Sequence, residues 1–194
     1  MKLEYLFALS TAAVVPAALA AEPQVDVRTS IGTIRLELYP EKAPKTVENF
    51  LQYVRDGHYD GTVFHRVIDG FMIQGGGFDG GFKQKKTRSP IANEAQAGVK
   101  GGLKNEPGSV AMARTADPNS ATAQFFINVA DNSFLNWGDP RSDGNGYAVF
   151  GKVVAGMDVI TKIAKTPTGP GGPFPRDVPR SPVVIESMTV VSGK

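Results

Sequence analysis

The chain has 194 residues, 41% of them hydrophobic, and a formal net charge of +2, enough apolar material for one ordinary domain and too little basic excess for a nucleic-acid-binding face. It contains no cysteine, which excludes disulfide staples and thiolate chemistry and suits an oxidising compartment. Its two histidines, His58 and His65, lack the H-E-x-x-H spacing of a zinc enzyme, so no metal site is expected.

Residues 1–20 read as a signal peptide. Lys2 gives a charged start, residues 6–19 are mostly apolar, and Ala18-Leu19-Ala20 offers the small-x-small pattern of a cleavage site. The apolar part is shorter than the roughly 20 residues of a bilayer span. Cleavage after Ala20, a mature domain over residues 21–194 and no lasting membrane association are therefore expected.

Val25, Val27 and Thr29 alternate with polar residues, Ser30-Ile31-Gly32 supplies a turn, and Ile34, Leu36 and Leu38 alternate again, which predicts a β-hairpin. Pro44 suits a first helical turn, and Val47, Phe50, Leu51 and Val54 follow at the spacing of a buried stripe until Gly57. Short β-rich runs then cover residues 62–67, 71–74, 109–113, 124–129 and 148–154, with a second helix over 157–164 and a last strand over 182–191. Regularly spaced short strands of this kind indicate a sandwich or a closed barrel. Residues 167–182 carry six prolines and are expected to be an ordered closing loop. The basic run Lys83, Lys85, Lys86 and Arg88 reads as a solvated loop.

Gly75-Gly76-Gly77-Phe78-Asp79-Gly80 satisfies G-x-G-x-x-G, but a basic loop follows it instead of a helix, so no dinucleotide site is expected. The informative stretch is Phe64-His65-Arg66-Val67-Ile68-Asp69-Gly70-Phe71-Met72-Ile73-Gln74-Gly75-Gly76. It brings an arginine, large apolar side chains and a carboxamide together across a tight turn. Strand alternation puts Phe64 and Arg66 on one side, and Met72 and Gln74 on one side. By pattern alone, Met72 and Phe126 would be ordinary barrel core.

This stretch resembles the signature of the cyclophilins. The similarity continues through Pro44-Lys45-Thr46-Val47-Glu48-Asn49-Phe50, Ser120-Ala121-Thr122-Ala123-Gln124-Phe125-Phe126-Ile127-Asn128 and Val149-Phe150-Gly151-Lys152-Val153. The resemblance implies a mainly β fold, a closed eight-stranded antiparallel barrel capped by two α-helices, and peptidyl-prolyl cis/trans isomerase activity without a cofactor. It implies Arg66 as catalytic arginine, Gln74 as substrate-orienting glutamine, and Phe71, Met72, Phe126 and Leu135 as walls of a proline pocket. Ala113, Arg114, Thr115 and Gln124 would hold the substrate backbone on the N-terminal side of proline. Phe134 and Tyr147 stand where better-known members carry tryptophan and histidine, and Arg114 replaces an asparagine, departures that bear on drug binding more than on activity.

Ala111-Met112-Ala113-Arg114-Thr115-Ala116-Asp117 and Asn128-Val129-Ala130-Asp131-Asn132 resemble the bacterial exported branch. That likeness implies a periplasmic monomer whose partners are proline-containing unfolded or partly folded polypeptides. Two rival readings differ in class: a non-catalytic proline-peptide-binding or chaperone module on the same barrel, and a hydrolase centred on His65.

Overall fold

Val25 and Val27 are wholly buried while Arg28 is exposed, so the predicted alternation folds as strand β1 (Gln24–Thr29), paired with β2 (Gly32–Leu38), whose Ile34, Leu36 and Leu38 are buried too. The computed structural model describes residues 22–191; the leader expected over residues 1–20 lies outside them. Helix α1 (Pro44–Arg55) carries proline at its start and buries Thr46, Val47, Phe50, Leu51, Tyr53 and Val54. It has no local side-chain cap. Instead the Glu94 carboxylate accepts from the backbone N–H of Lys45 (3.1 Å) and Thr46 (2.8 Å), satisfying orphan donors and placing negative charge at the positive end of the helix dipole.

The remaining strands are β3 (Thr62–Ile68), β4 (Met72–Asp79), β5 (Ser109–Met112), β6 (Phe125–Asn128), β7 (Val149–Ala155), β8 (Thr168–Gly171), β9 (Phe174–Pro179) and β10 (Val184–Val191). Eight of them close an antiparallel barrel in the order β1-β10-β3-β4-β6-β5-β7-β2, and β8 and β9 pair separately. Alternate side chains fill the interior, among them Ile73, Val110, Phe125, Ile127 and Phe150. The buried faces of α1 and of α3 (Met157–Ala164) join the same cluster. Phe50 carries α1 into it, with ring centroids 5.3 Å from Tyr59, 5.7 Å from Phe125 and 5.0 Å from Phe150.

Four local expectations change. A third helix, α2 (Ala95–Lys100), follows Glu94; it buries only Ala95 and Gly98, so no apolar stripe announced it. The stretch over 167–182 is a β8–β9 ribbon, anchored by the Phe174 ring 5.1 Å from Phe78. The basic run is only partly solvated: Lys85 donates to the carbonyls of His58 (2.6 Å) and Asp60 (2.8 Å), while Arg88 pairs with Asp56 and lies over the Tyr53 ring. Finally, β4 runs on through the glycines, because neighbours occupy the space of side chains there. A Cβ on Gly76, whose φ is +83°, would sit 2.8 Å from the Tyr59 ring, and one on Gly77 would sit 2.5 Å from Gln124 Cγ.

Candidate active site

Arg66 reaches the outside of the barrel through an irregularity. In the β3–β4 pairing Phe64 faces Gly75 and Arg66 faces Gln74, so one extra residue, His65, is accommodated on β3. Such a bulge reverses the alternation for one step. Phe64 therefore joins the interior cluster whereas Arg66 lines an outer groove, which corrects the expectation that the two share a face. Met72 and Gln74 do share one, and both line the groove.

The groove encloses about 110 Å³ and is lined by Arg66, Phe71, Met72, Gln74, Ala113, Arg114, Phe126, Leu135 and Tyr147. All nine were candidates from the sequence. The volume lies well below the roughly 300–1,000 Å³ of a drug-sized ligand site and suits one small ring. Met72 and Phe126 are buried, at 2% and 4% exposure, yet they belong to a second apolar cluster outside the barrel with Ala111, Leu135 and Val149. Burial beneath a groove and burial in a core look alike in sequence.

The three other candidates, Gln124, Phe134 and Thr115, are not part of this lining. Gln124 accepts from Gln74 Nε2 (3.0 Å), and Gln74 Oε1 lies 3.4 Å from Arg66 Nη1, so the carboxamides form a chain that positions the guanidinium. Phe134 stacks on Phe71, with centroids 5.8 Å apart and planes at 20°; it supports the wall and offers no hydrogen-bond donor. Thr115 is exposed and accepts from Arg114 through its carbonyl (2.9 Å). Arg66 forms no ion pair among the described residues. Trp137, 38% exposed, is not part of the lining.

Asn105, Asn128, Asn132 and Asp143 had no site role assigned from the sequence. Asn132 donates to the Phe71 carbonyl (2.8 Å) and to Asn128 Oδ1 (2.6 Å), and Asn128 donates to Asn105 Oδ1 (3.1 Å) and Ser109 Oγ (2.9 Å). This buried amide network secures the Phe71 end of the groove and the turn bearing Phe134 and Leu135. Asp143 pairs with Arg114.

His65 is excluded from groove chemistry by position. It is 3% exposed, stacked at 5.3 Å on Phe174 and set edge-on at 4.7 Å to Phe78, and its Nδ1 has no hydrogen-bond partner among the described residues. Burial, together with the nearby Arg66 charge, lowers its pKa from 6.5 to about 4. The unfolded chain thus binds a proton that the folded one refuses, and stability falls as pH drops from 6.5 towards 4, by a total of about 3 kcal/mol. Urea titrations at pH 7 and pH 4.5 should show His65→Phe losing less stability across that interval than the natural chain. Equal losses would mean that His65 is not held neutral by burial.

Comparison with known proteins gives a consistent set of relatives. The family model described as "Cyclophilin type peptidyl-prolyl cis-trans isomerase/CLD" matches residues 24–190. The chain is 55% identical over 166 residues to peptidyl-prolyl cis-trans isomerase B of Escherichia coli (strain K12), covering 86% of this chain and 98% of that protein. Over 167 residues it is 58% identical to peptidyl-prolyl cis-trans isomerase cyp18 of Streptomyces antibioticus, with the same shares covered. A crystal structure of a cyclophilin type isomerase from Cryptosporidium parvum in the presence of the dipeptide Ala-Pro superposes with a TM-score of 0.68 at 26% identity, over 88% of this chain and 99% of that one.

Proposed function

The chain belongs to the cyclophilin-type peptidyl-prolyl cis-trans isomerases and catalyses rotation about X-Pro bonds, and from that premise we propose that the outer groove is its active site and that it assists the folding of exported proteins. The observation that carries the site is a guanidinium with no ion pair among the described residues, Arg66, beside an apolar pocket sized for one small ring. The Cryptosporidium parvum relative, studied with Ala-Pro, supports a prolyl ring as the occupant.

Amide resonance sets the rotation barrier at about 18–20 kcal/mol, and no bond is made or broken in crossing it. Shortening tens of seconds to milliseconds takes about four decades, or about 5–6 kcal/mol. In the twisted state resonance is lost and the prolyl nitrogen gains a usable lone pair. A guanidinium aimed at that nitrogen stabilises the twisted form more than either planar isomer. Arg66 fills this role, oriented by Gln74. Phe71, Met72, Phe126 and Leu135 grip the ring, while Gln74 and the 113–115 segment hold the peptide on its N-terminal side, so that rotation is confined to one bond.

On this reading the enzyme acts as a monomer. Export rests on residues 1–20 and places the enzyme in the periplasm, where its partners are unfolded or partly folded polypeptides containing proline. Two experiments test this reading. The chain lacking residues 1–20 should accelerate the proline-limited refolding phase of an exported protein; no acceleration would remove the folding role. Protein recovered from the cell envelope should begin Ala21-Glu22-Pro23 on N-terminal sequencing. An intact Met1 on a membrane-bound product would instead identify an anchor.

A further inference from the structure

Arg114 lines the groove, but its charge is directed into the wall. Its side chain is 3% exposed, against 40% for Asp143. Nη2 donates to both Asp143 oxygens (2.9 and 2.7 Å), Nε to the Gly146 carbonyl (3.1 Å) and Nη1 to the Thr115 carbonyl (2.9 Å). The guanidinium carbon lies 4.4 Å from the centroid of the Tyr147 ring. That ring meets Phe126 edge-on at 5.7 Å, and Phe126 lies in the proline pocket.

Arg114 lies two residues beyond the end of β5, whereas Asp143, Gly146 and Tyr147 lie on a connection with no regular strand or helix between Leu135 and β7. The connection folds back on itself: Gly138 N–H donates to the Gly144 carbonyl (2.8 Å), and Tyr147 N–H to the Leu135 carbonyl (2.9 Å). One guanidinium fork thus joins the strand end beside the substrate backbone to the loop that presents an aromatic wall. Partial burial pulls the Asp143 carboxyl upward, but hydrogen bonds from Arg114 and the Asn145 N–H outweigh it and hold the pKa below the usual carboxylate value, so Asp143 meets the guanidinium as a carboxylate.

We propose that Arg114 and Asp143 form a latch that holds Tyr147 in place as a wall of the proline pocket and thereby sets the affinity for the prolyl ring. This rests on the groove being the isomerase site. Arg114 is then a positioning residue, distinct from Arg66, which acts on the twisted bond. A pocket wall touches planar and twisted substrate alike, so losing its support weakens binding of both equally and raises KM while kcat persists.

The test is steady-state isomerase kinetics on an Ala-Pro peptide with Arg114→Met, Arg114→Lys, Asp143→Asn and the Arg114→Met/Asp143→Asn pair, each checked for thermal stability. Arg114→Met should raise KM about five- to twentyfold with kcat within about twofold. Lysine keeps the charge but lacks the planar fork that serves Asp143, Gly146 and Thr115 together, so it should recover only part of the loss. Asp143→Asn should raise KM about three- to tenfold, and the pair should be no worse than Arg114→Met, because two halves of one device couple. Unchanged KM in a folded Arg114→Met or Asp143→Asn variant would overturn the latch, as would a fall in kcat alone, full rescue by lysine, or independent losses in the pair. If one variant does not fold, the other still decides. Absence of isomerase activity in the natural chain would instead count against the groove itself.

Discussion

Replacing Arg66 by alanine should lower kcat/KM by about two to three decades while peptide affinity changes little. The guanidinium lies beside the pocket with only a weak 3.4 Å contact to Gln74 and no ion pair among the described residues, so its charge is available to the prolyl nitrogen. Its attraction is felt mainly once the amide twists and the lone pair emerges. Removing it therefore costs the transition state and spares the planar complex, and the loss belongs in kcat. Arg66→Lys should recover little, since a flexible ammonium cannot share the orientation that Gln74 gives a planar fork. Full activity in the alanine variant, measured by peptide isomerisation, would remove the mechanism.

Phe125→Ala and Phe126→Ala should fail in opposite ways although the residues are adjacent. Phe125 is wholly buried inside the barrel against Phe50, Tyr59 and Phe64, with ring centroids 5.6–6.2 Å apart. Truncating it leaves a closed cavity and should cost about 3–5 kcal/mol of stability. Peptide binding per folded molecule should change little. Phe126 points the other way, into the groove. Its loss opens to water, so the stability penalty is smaller, but the prolyl ring loses its apolar contact. Forfeiting about 1.5–3 kcal/mol of ring burial corresponds to about ten- to a hundredfold weaker peptide binding. Urea unfolding and peptide titration separate the two effects, and similar profiles for both variants would contradict the assignment of faces.

Those faces were only partly legible in the sequence. Alternation located β1 and β2, short β-rich runs located the other barrel strands, the apolar stripe located α1 and α3, and the ordered motif blocks pointed to the groove residues. Alternation failed between Phe64 and Arg66, because the extra residue His65 shows only in the pairing register with β4, which alternation within one strand does not reveal. The β8–β9 ribbon was hidden by its proline and glycine content, which resembles a loop until Phe174 packs on Phe78. Long-range side-chain pairings were least visible. Glu94 caps a helix that begins 50 residues earlier, and Arg114 meets Asp143 across 29 positions. Each joins segments whose own composition gives no periodic signal, so only the closed barrel brings them together.

The central claim is that Arg66 accelerates rotation of a peptide already bound in the groove. NMR exchange spectroscopy on an Ala-Pro peptide bound at saturation measures that rotation directly, free of association and release. With the natural chain the bound peptide should exchange between cis and trans on a timescale of milliseconds. With Arg66→Ala the same pocket resonances, those of Phe126 and Leu135, should shift on binding while exchange slows by about a hundredfold or more. Bound-state exchange as fast in Arg66→Ala as in the natural chain would contradict the account.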